Sequence, residues 1–209
     1  MHLIFDMDGT LIDSRPGIIA SLETAVQKVY PLMDTHQLHF TIGPQIHDIL
    51  RLAIEQATDA ELATLEIAFR IAYDNQGWKN SLIYPGVTAT IEELLKRGDK
   101  LYILTNKPKL PTSQILKYLG LSDYFRDVIS PDSDQPKFRN KAAMLIYLLN
   151  KHAIPLDDTF CIGDSEDDFL AAQAYNVRFI GIEYGYGILP SGKNISKRLS
   201  LFSEILSVR

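Results

Sequence analysis

Short apolar runs alternate with stretches in which apolar side chains recur every three or four positions, and this rhythm is regular from residue 86 onward. The run from His2 to Phe5 stops at Asp6 and is followed by Gly9, the pattern of a buried strand entering a turn. Similar endings recur in LYIL before Thr105, DVIS ending at Ser130, TFCIG before Asp164 and VRFIGI from Val177. Between them, Val87, Ile91, Leu94 and Leu95 form a helical stripe that ends at Gly98, and Ala142, Leu145, Ile146 and Leu149 form another. Alternating strands and helices imply parallel strands joined by right-handed crossovers. The expected fold is therefore α/β, an open, Rossmann-like parallel sheet with helices on both faces.

Residues 15–82 break the rhythm. Ile46, Ile49, Leu50 and Ala53 make one helical stripe and Leu62, Leu65, Phe69 and Ala72 another, with no convincing strand between them. The segment reads as an inserted helical cap, so residues 1–14 and 83–209 are expected to form the core. Pro16 and Gly17 at one boundary, and Tyr84, Pro85 and Gly86 at the other, suit two crossings of a single hinge.

Composition narrows the function. A length of 209 residues, 46% hydrophobic and 22% charged, suits one globular core with a smaller insertion. The formal net charge of −5 and the lack of a basic stripe oppose nucleic acid as a partner. Only Leu3, Ile4 and Phe5 form an apolar stretch before the first acid, too little for a signal peptide or a membrane span, so a cytoplasmic protein is expected. Cys161 is the single cysteine, which excludes an intrachain disulfide framework; its place in TFCIGD predicts inert packing.

Candidate chemistry lies at the strand ends. In an open parallel sheet, ligands bind outside the carboxyl ends of the strands, where Asp6, Thr105 and Asp164 are expected to converge. Asp8 follows Asp6 closely, and Gly9 lets the chain turn between acids and ligand. The run GDSEDD adds Asp168. Two such charges about 4 Å apart repel by roughly 4 kcal/mol at an effective dielectric near 20, so the cluster calls for a cation. Carboxylate oxygens favour a hard ion such as Mg2+. A lone D-x-D-G is more often a turn or helix cap, and neither DMDGT nor DSEDD has EF-hand spacing.

FDMDGTLIDS, ILTNK, a lysine opening a later helix and IGDSEDD, in this order, resemble the motifs of the haloacid dehalogenase superfamily. TNKP, the late YGYG and an insertion after the first motif are similar to its phosphoglycolate phosphatase-like branch. The resemblance implies a magnesium-dependent phosphatase working through an aspartyl-phosphate on a small phosphorylated metabolite. Asp6 would be the nucleophile, and Asp8 would protonate the leaving oxygen and later deprotonate water. A carboxylate nucleophile divides hydrolysis into two easier displacements, which a neighbouring acid can serve in turn. By the same resemblance, Mg2+ would be held by Asp6, the Asp8 carbonyl, Asp164 and Asp168. Thr105 would bind a phosphoryl oxygen with backbone N–H groups from the Asn106 and Lys107 turn.

The lysine expected beside the phosphate is Lys141, at a helix N-terminus where an anion is also favoured; Lys137, preceded by Pro136, reads as a solvated loop charge. Glu166 and Asp167 suit a helix start. His36 and His39 read as exposed, and Arg15, Gly43 and Arg51 are weaker substrate-facing suggestions. No G-x-S-x-G elbow supports a serine hydrolase. Two rivals remain at this level: a phosphotransferase of the β-phosphoglucomutase type, and a signalling module that uses phospho-aspartate as a switch. A monomer or homodimer is expected, acting on a small metabolite without nucleic acid or membrane.

Overall fold

A computed structural model describes residues 1–40, 42, 46–191 and 194–208. Gly43, suggested above as substrate-facing, lies outside the described residues. The element order is β1 (His2–Phe5), β2 (Ile12–Asp13), α1 (Arg15–Val29), α2 (Ile46–Ala53), α3 (Asp59–Asn75), β3 (Leu82–Ile83), α4 (Val87–Lys96), β4 (Lys100–Leu104), α5 (Lys109–Tyr118), β5 (Asp127–Ile129), α6 (Lys141–Lys151), β6 (Thr159–Gly163), α7 (Glu166–Gln173), β7 (Arg178–Ile182) and β8 (Lys197–Leu199). The chain divides into two compact units, Met1–Asp13 with Leu82–Arg209, and Ser14–Ser81.

The first unit is built on a six-stranded sheet in the order β5-β4-β1-β6-β7-β8, with parallel pairing throughout. Successive residues of β1 face opposite sides, as strand geometry requires. Ile4 joins Tyr102, Leu104 and Cys161 in a core with Met144, Leu145 and Leu148 of α6 and Phe169 and Ala172 of α7. Phe5 faces the other way, onto Phe125 and Phe202. There α4 packs on the short turns Ser122–Tyr124 and Phe202–Ser207. Helices thus cover both faces of an α/β sheet. Cys161 is buried in this packing.

Two short features escaped the sequence reading. β2 and β3 pair antiparallel over only two residues each, Ile12 with Ile83 and Asp13 with Leu82. β8 carries exposed Lys197 and Arg198, with only Leu199 buried, so it lacks the apolar run of an interior strand. Charged side chains on an edge strand discourage pairing with another chain.

The register fixes where the polar strand ends meet. Phe5 is level with Ile103 of β4 and Ile162 of β6. Asp6 N–H donates to the Ile162 carbonyl at 2.8 Å, and Thr105 N–H to the Ile129 carbonyl at 3.0 Å. From β1 the chain moves outward through β4 and β5, then returns to the opposite side of β1 as β6. This reversal opens a crevice beside β1 at its carboxyl end, the place where such sheets bind ligands.

The second unit contains α1, α2 and α3, with no strand among its described residues. Pro16 and Gly17 fall inside the first turn of α1 instead of in a connecting segment, consistent with the tolerance of helix starts for proline. α1 packs along α3. Leu62, Leu65 and Phe69 are buried on α3, which starts in a capping box between Thr58 and Glu61.

Candidate active site

Asp6 stands one residue beyond β1 and is buried, with Oδ1 accepting from Lys141 Nζ at 2.5 Å. Lys141 opens α6 after Asn140, whose side chain caps the helix by accepting from Ala143 N–H. The helix start therefore carries the lysine directly into the strand-end crevice. Lys141 also contacts Asp168, and its side chain is only 4% exposed. Burial disfavours the charged form of this ammonium, but Asp168 and Asp6 outweigh it and raise its pKa above the usual lysine value. Lys137, the competing candidate, is exposed in the loop ahead of α6.

Asp164 and Asp168 reach the same place through the turn between β6 and α7. Ser165 caps α7, its Oγ accepting from Asp168 N–H at 3.3 Å, while Asp168 Oδ2 accepts from Ser165 Oγ at 2.6 Å and Ser165 N–H at 3.1 Å. This capping box turns Asp168 back toward β6 and leaves its other oxygen for Lys141. Oxygen atoms of Asp6, Asp164 and Asp168 lie within 4.8 Å of one another, and all three residues are buried.

Asp8 has a different setting. Its Oδ2 accepts from Lys107 Nζ at 3.1 Å, whereas Oδ1 is buried and has no hydrogen-bond partner among the described residues. Thr105, almost fully buried at the end of β4, accepts from Lys107 N–H through Oγ1 at 3.2 Å. That amide, expected from the sequence to face a phosphoryl group, is thus engaged by Thr105. The Asn106 side chain donates to Asp167 Oδ2 at 2.7 Å, tying the turn after β4 to the first turn of α7. Glu166 is exposed in the same turn.

The remaining suggestions belong to the Ser14–Ser81 unit. Arg51 pairs with Asp59 at 2.6 Å within the helical unit. Arg15, His36 and His39 are exposed in the same unit.

The donor set suits a hard divalent cation. When ionised, Asp6, Asp8, Asp164 and Asp168 carry four negative charges against the two ammonium groups of Lys107 and Lys141. Two negative charges are left over, which a dication would balance. Oxygen ligands of this kind favour Mg2+ over softer metals. Without such an ion, burial first and the charge of Asp168 second push the Asp164 pKa up to about 6 against the pull of backbone donors.

The family model for haloacid dehalogenase-like hydrolases matches residues 3–182. A phosphoglycolate phosphatase of Vibrio parahaemolyticus is 32% identical over 217 aligned positions, covering 99% of this chain and 94% of that protein. This chain belongs to the haloacid dehalogenase-like hydrolase family. Its place is in the phosphoglycolate phosphatase-like branch. Among solved structures, a predicted phosphoglycolate phosphatase from Haemophilus somnus superposes with a TM-score of 0.84 at 27% identity, over 99% of this chain and 96% of that one. A haloacid dehalogenase-like family hydrolase from Streptococcus pneumoniae shares the fold, with a TM-score of 0.85 at 21% identity over 99% and 96%.

Two parts of this hydrolase's site were not drawn from the sequence. The first is a strap formed by YGYG after β7. Asp164 Oδ2 accepts from Tyr186 N–H at 3.0 Å and Gly187 N–H at 2.8 Å, and Tyr184 OH donates to the Thr10 carbonyl at 2.7 Å. A Cβ at Gly185 would lie 2.3 Å from Asp164 Oδ2 and 2.6 Å from the Gly9 carbonyl oxygen. On the opposite side, Gly9 has φ +82°, and a Cβ there would sit 2.1 Å from Asp164 Oδ2. The repeated glycines of YGYG were the available signal, but not one that identified their partner. The second part is the Lys107 side chain, which pairs with Asp8; the sequence pattern points only to the backbone amide of this residue.

Proposed function

We propose that this hydrolase is a magnesium-dependent phosphatase that releases phosphate from a small phosphorylated metabolite through an aspartyl-phosphate on Asp6. The observation that carries the reading is the buried meeting of Asp6 with Lys141 at 2.5 Å inside the Asp6–Asp164–Asp168 cluster. A carboxylate at this strand end has one oxygen fixed by an ammonium and the other available for attack on phosphorus. As that bond forms, the bond from phosphorus to the leaving oxygen breaks, and Asp8 supplies the leaving oxygen's proton. In the second step Asp8 takes a proton from water, the water oxygen bonds to phosphorus, and the acyl phosphate opens to regenerate the Asp6 carboxylate.

Asp6, Asp164, Asp168 and the Asp8 carbonyl are the groups that would hold the magnesium ion. When bound, the ion would offset the charge of the phosphoryl oxygens and keep Asp6 ionised. Lys141 adds a fixed positive charge at the nucleophile. Thr105 Oγ1 already accepts from Lys107 N–H, so its own hydrogen remains to be donated to a phosphoryl oxygen. The Asn106 side chain acts in this scheme by holding the Thr105 turn to α7 through Asp167, while its backbone N–H is the group proposed to face a phosphoryl oxygen.

The Ser14–Ser81 unit is proposed as the cap, with selectivity residing in its side chains. 2-Phosphoglycolate is the first substrate to test, because the relative from Vibrio parahaemolyticus carries that activity in its name. A cytoplasmic monomer or homodimer acting without nucleic acid completes the proposal; among the described residues, no helix is long and apolar enough to cross a membrane.

The test is phosphate release from 2-phosphoglycolate, nucleoside monophosphates, sugar phosphates and pyrophosphate, with and without magnesium, by the native protein and by Asp6→Asn. Magnesium-dependent release that disappears in a folded Asp6→Asn protein is expected. Undiminished release by that variant would remove Asp6 from the chemistry. Isomerisation of a sugar phosphate without release would favour the mutase instead.

A further inference from the structure

We propose that Lys107 is the positioning residue for Asp8, holding the acid–base carboxyl for both proton transfers of the reaction. The inference rests on the phosphatase reading above and adds a residue to it. Lys107 Nζ lies 3.1 Å from Asp8 Oδ2, and the lysine side chain is only 8% exposed. Among the described residues, Asp8 Oδ1 has no hydrogen-bond partner, so the contact with Lys107 is what orients this carboxyl.

A long, flexible side chain positions another group only if its own backbone is fixed. Lys107 meets that condition. Its N–H donates to Thr105 Oγ1 at 3.2 Å, and its carbonyl accepts from Thr112 Oγ1 at 3.3 Å. The same Thr112 hydroxyl lies 2.8 Å from the Pro108 carbonyl, which fastens the turn to the start of α5. Thr105 is in turn fixed to β5 through its own N–H. The ammonium therefore projects from a turn secured on both sides.

An ammonium hydrogen can be donated to the carbonyl oxygen of a carboxylic acid as well as to a carboxylate. The contact can persist in both states that Asp8 must visit. In the first step Asp8 gives its proton to the leaving oxygen while the bond to phosphorus breaks. In the second it accepts a proton from the water that attacks the phosphoryl group on Asp6. Misplacing a reacting group by about 1 Å can cost on the order of 100-fold in rate.

The steps can be separated by the leaving group. p-Nitrophenolate departs without a proton, so forming the phosphoenzyme from p-nitrophenyl phosphate needs no acid, whereas hydrolysing that phosphoenzyme still needs the base. An alkyl phosphate such as 2-phosphoglycolate needs both. In the full-length protein with magnesium, Lys107→Met is expected to give a stoichiometric burst of p-nitrophenol, followed by steady turnover reduced about 100-fold. A hydroxylamine-labile phosphoenzyme should accumulate during that slow phase. With the alkyl phosphate the burst should be absent and kcat should fall by a similar factor with little change in KM.

Lys107→Gln and Lys107→Arg are measured alongside, so the decision does not depend on one variant folding. The glutamine variant should behave like the methionine variant, and arginine should recover much of the lost rate. Unchanged steady turnover in the Met and Gln variants would overturn the proposal. So would loss of the burst together with turnover, which would place Lys107 with the phosphate or the nucleophile. A native protein that forms no phosphoenzyme and releases phosphate from neither p-nitrophenyl phosphate nor the metabolites named above would instead overturn the phosphatase reading itself.

Discussion

Gly185→Ala gives a direct test of the YGYG strap, because Gly185 lies between two groups with little freedom to move. The new methyl carbon would start 2.3 Å from Asp164 Oδ2, 2.4 Å from Asp164 Cβ and 2.6 Å from the Gly9 carbonyl oxygen. Real contacts of this kind stay above 3.0 Å, so the strap and the carboxylate must separate by at least about 0.7 Å. Rotation of the Asp164 side chain cannot relieve the whole clash, since its Cβ and the Gly9 backbone are also in the way. The separation pulls Tyr186 N–H and Gly187 N–H away from Asp164 Oδ2, now 3.0 Å and 2.8 Å distant.

Overpacking of this size costs about 1–3 kcal/mol of stability. That fits within a typical reserve of about 5–15 kcal/mol, so the variant should remain folded. Its effect on the reaction should be larger in proportion. A shift approaching 1 Å in a proposed metal ligand is worth about 100-fold in rate, or roughly 2.7 kcal/mol of transition-state stabilisation. The assay is phosphate release over a magnesium titration, with urea unfolding of the same preparation. A control is Gly120→Ala, where φ is +70° but nothing lies within 4 Å of the new Cβ. The control should lose about 1 kcal/mol of stability from backbone strain and keep its activity. A Gly185→Ala protein with native activity and native magnesium dependence would refute the strap's role in holding Asp164.

Two further outcomes follow from buried and half-buried charge. Lys141→Met removes the ammonium shared by Asp6 and Asp168, whose neighbouring carboxylate oxygens, with Asp164, lie within 4.8 Å of one another. A pair of charges at that distance repels by about 3.5 kcal/mol at an effective dielectric of 20; the variant should lose about 3–5 kcal/mol in chelator and recover part of it in magnesium, as read by urea unfolding, whereas equal losses in both would contradict the proposed ion site. Asp127 accepts from Lys151 and His152, each at 2.8 Å. Burial opposes its ionisation, but these donors and the Val128 N–H hold its pKa below the ordinary 3.8, so its stabilising contribution is present above that pH and disappears as pH falls through the lowered value. Asp127→Asn should therefore be less stable than the native protein at neutral pH, with the gap closing in acid; a gap independent of pH would count against this ion pair as its origin.

The parts of this fold that could be read from sequence are those whose physical cause is local. β1, β4 and β6 are buried on both faces, so each appears as an apolar run, and each stops at a polar residue because the crevice begins there. That rule alone brings Asp6, Thr105 and Asp164 together, and the helix start at Lys141 distinguishes it from the exposed Lys137. β8 escaped the rule because an edge strand with Lys197 and Arg198 has no apolar run to reveal it. Lys107 and the YGYG strap escaped for another reason: both act on a partner across the fold, Asp8 in one case and Asp164 in the other. Periodicity cannot select that partner, since a lysine in a turn looks the same whether its ammonium reaches water or a carboxylate. Strand-end acids can thus be located from pattern alone, while the groups that orient them become visible only when the register of β1, β4 and β6 sets their distances.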